Sequence, residues 1–241
     1  MKRSACWLFA TCLLMAPSAG ATCDSPALAT LASRFEPDRE YRPELTACKA
    51  WPGRPGLTIF AIPYGDGGPW DEQYFDLHLV VADTKTQAVR SHGHFPKALV
   101  SDALTLHEVV IDTARYRLSA SELAFGVVMS RRGSRSSTRS LALFLPQENR
   151  IGQVSEWISM GFHATDPAAG DCAAASRSAA RTLRMLPTRS QGRFDIAVDE
   201  VLTDQGLAAD CSEGEVTETR IGYTVKFDGT MYDVPDELGS W

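Results

Sequence analysis

The sequence predicts a mainly β protein: antiparallel sheets, as a sandwich or a partial barrel or propeller-like arrangement, behind a short disulfide-stapled helical segment. Three observations carry this. After residue 57 apolar and polar residues alternate along several runs, the period of a strand with one buried face. No long 3.6-residue pattern appears in that stretch. Asp228-Gly229 stands between Val225-Lys226-Phe227 and Met231-Tyr232-Asp233-Val234, a two-residue hairpin signature. The chain has 241 residues, 44% hydrophobic and 22% charged. That balance excludes a wholly disordered chain, a collagen and a polytopic membrane protein.

The first element is a signal peptide, residues 1–21. Met1-Lys2-Arg3 is a basic start, Ala5 to Met15 is mostly apolar, and Pro17 and Ala19-Gly20-Ala21 supply a breaker and a small-x-small cleavage pattern. The apolar run spans roughly 16 Å as a helix, too short for a ~30 Å bilayer core. Cleavage is expected after Ala21. No later stretch is long enough to span a membrane, so export to the periplasm or the exterior is expected. Arginine outnumbers lysine 19 to 5, as in proteins of GC-rich bacteria.

Residues 22–56 form the second element. Pro26-Ala27-Leu28-Ala29-Thr30-Leu31 and Pro43-Glu44-Leu45-Thr46-Ala47-Cys48 each place Pro in a first helical turn. Cys23, Cys48, Cys172 and Cys211 remain after cleavage, an even number in an oxidising compartment. Four cysteines allow three pairings. Sequence order favours Cys23–Cys48 and Cys172–Cys211, closing loops of 25 and 39 residues. Chain entropy makes these worth roughly 3.5 and 4 kcal/mol. A zinc site from the four is disfavoured because no C-x-x-C spacing occurs.

Residues 57–241 form the β-domain, with two halves dividing near 147–156. Phe75, Leu77, Leu79 and Val81 alternate, as do Leu123, Phe125, Val127 and Met129, then Leu141, Leu143 and Leu145. Phe194, Ile196 and Val198 follow, then Ile221, Tyr223, Val225 and Phe227. Further strands are expected near 57–63, 105–116, 157–164 and 178–186. Phe75-Asp76-Leu77-His78-Leu79 echoes Phe194-Asp195-Ile196-Ala197-Val198, each read as a strand with an exposed Asp.

Gly192-x-Phe194-Asp195-Ile196-x-Val198, followed by Tyr223-x-x-x-Phe227-Asp228-Gly229-x-x-Tyr232, resembles a strand-plus-hairpin unit of exported bacterial β-rich proteins, loosely similar to FG-GAP-type repeats. The likeness covers about 40 C-terminal residues by count. It lacks the Asp-x-Asp-x-Asp-Gly calcium loop of many such repeats. It implies an exported β-protein and no residue role.

Charge is unevenly placed. Residues 115–193 carry 5 acids and 12 bases, and residues 194–241 carry 12 acids and 2 bases. Two readings follow: neighbouring strands neutralise each other, or an acidic surface steers a basic partner. The first puts Arg181 or Arg184 beside Asp195, Asp199 or Glu200. Surface pairs of that kind are worth ~0–1 kcal/mol each, so reversing Asp199 and Glu200 should lower stability only modestly. Net negative charge and an export signal argue against nucleic acid.

Candidate sites are few. His92-Gly93-His94 offers two imidazoles on one face of an extended strand, which His78 or His107 could join to bind Zn or Cu. Two close histidines fall short of a zinc ligand set, so no metal or other cofactor is expected. Asp66, Trp70, Asp71 and Glu72 group carboxylates beside an aromatic platform, a pattern suited to carbohydrate or peptide binding or to glycan cleavage. Arg131, Arg132, Arg135 and Arg139 read as an arginine-rich hairpin tip able to contact an envelope polymer or a protein. No G-x-S-x-G, S-x-x-K or H-E-x-x-H pattern occurs. The expected function is a periplasmic, non-catalytic binding protein, of inhibitor or immunity type. The alternatives are a cell-wall or glycan hydrolase using Asp66, Asp71 or Glu72, and a metal-binding protein at His92 and His94.

Overall fold

The computed structural model describes residues 26–39, 41–67, 73–166, 175–207 and 212–239. The expected signal peptide, Cys23, Cys172 and Cys211 lie outside the described residues. Cys48 is half-buried on the first strand.

Among the described residues one α-helix, α1 (Pro26–Phe35), precedes thirteen strands. These are β1 (Ala47–Ala50), β2 (Leu57–Gly65), β3 (Gln73–Asp83), β4 (Val89–Ser101), β5 (Thr105–Arg117), β6 (Leu123–Arg132) and β7 (Ser136–Gln147). Then come β8 (Arg150–Gln153), β9 (Ile158–Thr165), β10 (Ser176–Ser190), β11 (Arg193–Leu207), β12 (Glu213–Phe227) and β13 (Tyr232–Asp233). They form one open, mixed sheet in the order β1-β2-β3-β4-β8-β7-β9-β10-β11-β12-β13, with β5 and β6 branching from β7. The mainly β reading therefore holds, but as a single sheet. Its strand pairs are antiparallel among the described residues except β4–β8, where His92 lies against Arg150, and a single bridge from Ser155 to Tyr232 is also parallel. Gly93 permits the β4–β8 contact, because a Cβ there would sit 2.8 Å from the Ile151 carbonyl oxygen.

Curling gives the sheet separate cores on its two faces. Ile59, Phe75, Leu79, Phe125, Val127 and Phe144 share the first, enclosed by β1–β8. Val128, Leu141, Leu143, Leu145, Ile196, Val198, Val225 and Tyr232 share the second. β6 and β7 are thus buried on both faces, where alternation had implied one. Ala124 and Ala142, the residues between the large ones, are small but fully buried. Tyr232 locks the second core: its hydroxyl donates to the Phe194 carbonyl at 2.7 Å. The expected hairpin forms between β12 and β13, with a longer loop than two residues. Asp228 N–H donates to the Met231 carbonyl, and Asp228 Oδ1 accepts from the Thr230 and Met231 amides.

α1 covers the outer face of β2 and β3. Leu28, Leu31 and Ala32, at helical spacing, meet Phe60, Ile62, Tyr64, Val80 and Ala82. The Tyr64 hydroxyl donates to the Ala32 carbonyl at 2.7 Å, satisfying one of the carbonyls a helix end leaves open. The second expected helix does not form. Pro43–Leu45 makes one 3-10 turn, and Ala47–Ala50 pairs with Thr58–Ala61. A ladder on an existing sheet outcompetes so short a helix, which is marginal alone.

The acidic and basic segments are neighbours. β10 pairs with β11 in a register that sets Arg181 opposite Glu200. Arg181 and Glu200 form a buried ion pair, each side chain 5% exposed. Arg184 reaches Asp199 at 3.5 Å and Arg177 reaches Asp204 at 3.2 Å, both in water. Asp195 is buried, not exposed as the echo implied, and Asp76 is largely covered. Both sit on strands whose second face is occupied, so the alternation rule misplaces them.

Candidate functional site

Two places combine shape with chemistry. The first is a cleft of about 550 Å³ on the face of β7, β9, β10, β11 and β12. Phe162, Leu202, Ile221 and Tyr223 supply its apolar lining. The buried Arg181–Glu200 pair lies in its wall. Arg181 is fully engaged: Nη1 donates to the Ser159 carbonyl at 3.1 Å and to Ser159 Oγ at 2.6 Å. Thr138 Oγ1, also in the lining, is buried without a hydrogen-bond partner. The cleft exists because β10 to β12 run on past the second core, carrying its apolar face into solvent; Ile221 is 37% exposed.

The second is a histidine cluster beneath the end of α1. His78 on β3 lies directly opposite His94 on β4, and Val80 lies opposite His92. These four side chains share one face, as the spacing of His92 and His94 requires. His78 Nδ1 and His92 Nε2 are 2.9 Å apart. The His78 ring stacks on His94, centroids 4.4 Å apart, and Phe35 stacks on His92 at 4.1 Å. Glu36, the residue after α1, brings Oε1 to 3.2 Å from His78 Nε2. His94 Nε2 is 3.5 Å from Asp76 Oδ2. Asp76 is held by the Arg39 guanidinium at 2.7 Å and the Lys97 amide at 2.8 Å. Burial pushes the Asp76 carboxyl up, but the Lys97 amide and Arg39 outweigh it and hold it below the usual range. Burial, then the neighbouring His94 and His92, push the His78 imidazole down to about 4.

The remaining sequence candidates separate. Asp66 is exposed at the end of β2, and Trp70, Asp71 and Glu72 lie outside the described residues. The four arginines do not form one loop tip. Only Gly133–Arg135 connect β6 to β7, so Arg131 and Arg132 end β6 and Arg139 lies within β7. Arg131 turns inward, its side chain 4% exposed, and meets Asp102 at 3.2 Å. Inward alternation from Leu123 through Met129 dictates this, since Arg131 is next in the same series. Arg132, Arg135 and Arg139 remain exposed. His107 lies on β5, away from the cluster by strand order.

Sequence reasoning named His78, His92 and His94 but missed Glu36 and the cleft. Glu36 carries no periodic signal, and only the packing of α1 brings it over β3. The cleft is assembled from five strands, which no local pattern reveals. No family model, curated protein or solved structure matches this chain.

Proposed function

We propose that this is an exported, non-catalytic binding protein that takes the apolar part of its ligand into the cleft between β7, β9, β10, β11 and β12. The cleft itself carries the reading. Its volume falls within the ~300–1,000 Å³ of ligand sites, and apolar walls with a few polar groups are their usual composition. Thr138 Oγ1 offers an unmet hydrogen bond to whatever enters. The acidic C-terminal strands support the inhibitor reading less well, because Asp199, Glu200 and Asp204 already face arginines of β10. A partner protein or an envelope polymer presents the ligand; in either case the contact is apolar with a polar rim. Among the described residues no helix is long and apolar enough to cross a membrane.

The test uses an environment-sensitive anilinonaphthalene dye as the probe. Wild-type protein should enhance its fluorescence at one saturable site. Leu202→Glu and Tyr223→Ala should each weaken binding about tenfold or more, the loss of ~1.4 kcal/mol of contact. Unchanged dye binding in both variants would remove the cleft from the function.

Export and the staple belong to the same proposal. The signal-like N-terminus and the even cysteine count support cleavage near Thr22 and disulfides Cys23–Cys48 and Cys172–Cys211. Intact mass of protein recovered from the periplasm should match a chain beginning at Thr22, within a residue. Peptide mapping should show both local disulfides. A soluble product that keeps Met1 to Ala21, or Cys23 joined to a distal cysteine, would refute these points.

A further inference from the structure

We propose that Glu36, His78 and His94 form a binding site for a divalent transition-metal ion of the zinc type. This goes beyond the cleft, which lies on other strands. The donor atoms of the three residues all lie within 4.8 Å of one another. A metal with Zn–N and Zn–O bonds of ~2.0–2.2 Å draws such atoms together with small side-chain shifts. Two imidazoles and one carboxylate make the borderline nitrogen and oxygen set that suits zinc, and three protein ligands leave a position for water or a ligand atom.

The decisive atom is His78 Nε2. The residue is 3% exposed, and Nε2 is buried without a hydrogen-bond partner. Glu36 Oε1 stands 3.2 Å away, within ion-pair distance. The other ring nitrogen is engaged with His92 at 2.9 Å. When Nδ1 carries the ring proton and donates it to His92, Nε2 presents a lone pair to a carboxylate. Two electron-rich groups then face each other with the imidazole buried and the carboxylate only partly in water, at a cost that burial raises. A cation between them turns that repulsion into two bonds. Buried polar atoms left unmet in a native fold call for this kind of explanation, an ion among the candidates.

The surroundings match what metal-ligating histidines need. His92 engages the second ring nitrogen of His78 at 2.9 Å, and Asp76 faces His94 across 3.5 Å while Arg39 and Lys97 hold it in place. Such supporting carboxylates and imidazoles orient ligands, and losing one lowers metal affinity about 10–100-fold. Phe35 closes one side by stacking on His92. The two histidines are fixed by β-register, so the site needs only α1 in place to be complete.

Zinc and cobalt(II) titrations of the untagged mature protein test this. Wild type should bind one Zn²⁺ per chain, measured by competition with a chelating dye. The Co²⁺ form should show visible d–d bands that Zn²⁺ abolishes. His94→Ala, at a partly exposed position, and Glu36→Gln should each weaken Zn²⁺ at least 100-fold while far-UV circular dichroism stays unchanged. His92→Ala should weaken it about tenfold, as for a supporting residue. His107→Ala should leave it unaltered. No stoichiometric binding by wild type, or equal affinity in Glu36→Gln and His94→Ala, overturns the proposal. Absence of saturable dye binding by wild type, or unchanged dye binding in both cleft variants, with zinc binding intact would overturn only the proposed function.

Discussion

Replacing Arg181 with Met should destabilise the protein by about 3–5 kcal/mol, because Glu200 is then left as a buried, unpaired charge. Both side chains are 5% exposed, and Arg181 also holds Ser159 on β9. The double variant Arg181→Met, Glu200→Leu should recover most of that loss, since well-packed apolar residues replace buried ion pairs at little cost. Neighbouring Arg184 and Asp199 supply the control: each is 60% exposed, and an exposed pair is worth about 0–1 kcal/mol. Reversal at Glu200 should therefore be severe and reversal at Asp199 nearly silent, where sequence reasoning expected both to be mild. Urea denaturation midpoints of these variants and of Arg184→Met decide this. Equal stabilities for Arg181→Met and Arg184→Met would show that the pair is not buried as described.

The second large effect concerns β7. Phe144 points into the core enclosed by β1–β8, and Leu143 points into the core shared with β11–β13. Phe144→Ala should cost about 3–5 kcal/mol and Leu143→Ala about 2–5 kcal/mol, each from lost transfer energy plus a cavity. Their thermal midpoints should fall by comparable amounts. A half-exposed strand would give one large loss and one near zero, so the pair of variants tests whether the sheet encloses two cores. Unequal losses of that kind would leave β7 facing solvent on one side.

The residues that marked strands did so through local chemistry. Alternation at Phe75–Val81 and Leu123–Met129, the turn residues Asp228-Gly229, and the register of His92 with His94 follow from a two-residue period. That period acts over a few residues, so it is visible in the chain itself. The same locality explains the errors. Pattern alone cannot show that Ala142 faces the first core and Ala124 the second, because small residues look like solvent-facing ones until another layer covers them. It turned Asp195 outward and placed Arg131 in a loop for the same reason: each ends or flanks an apolar run whose far side is covered by strands distant in sequence.

What the sequence by itself determined is the mainly β class, most strand positions, and the two histidines that share a face on β4. The tertiary structure alone decided the rest. Curling of one sheet gave β6 and β7 two buried faces, antiparallel pairing put His78 opposite His94, and α1 packing carried Glu36 to within 3.2 Å of His78. The register of β10 on β11 buried Arg181 with Glu200. These are contacts between residues far apart along the chain. Their energies come from burial and desolvation, which exist only once the layers have met.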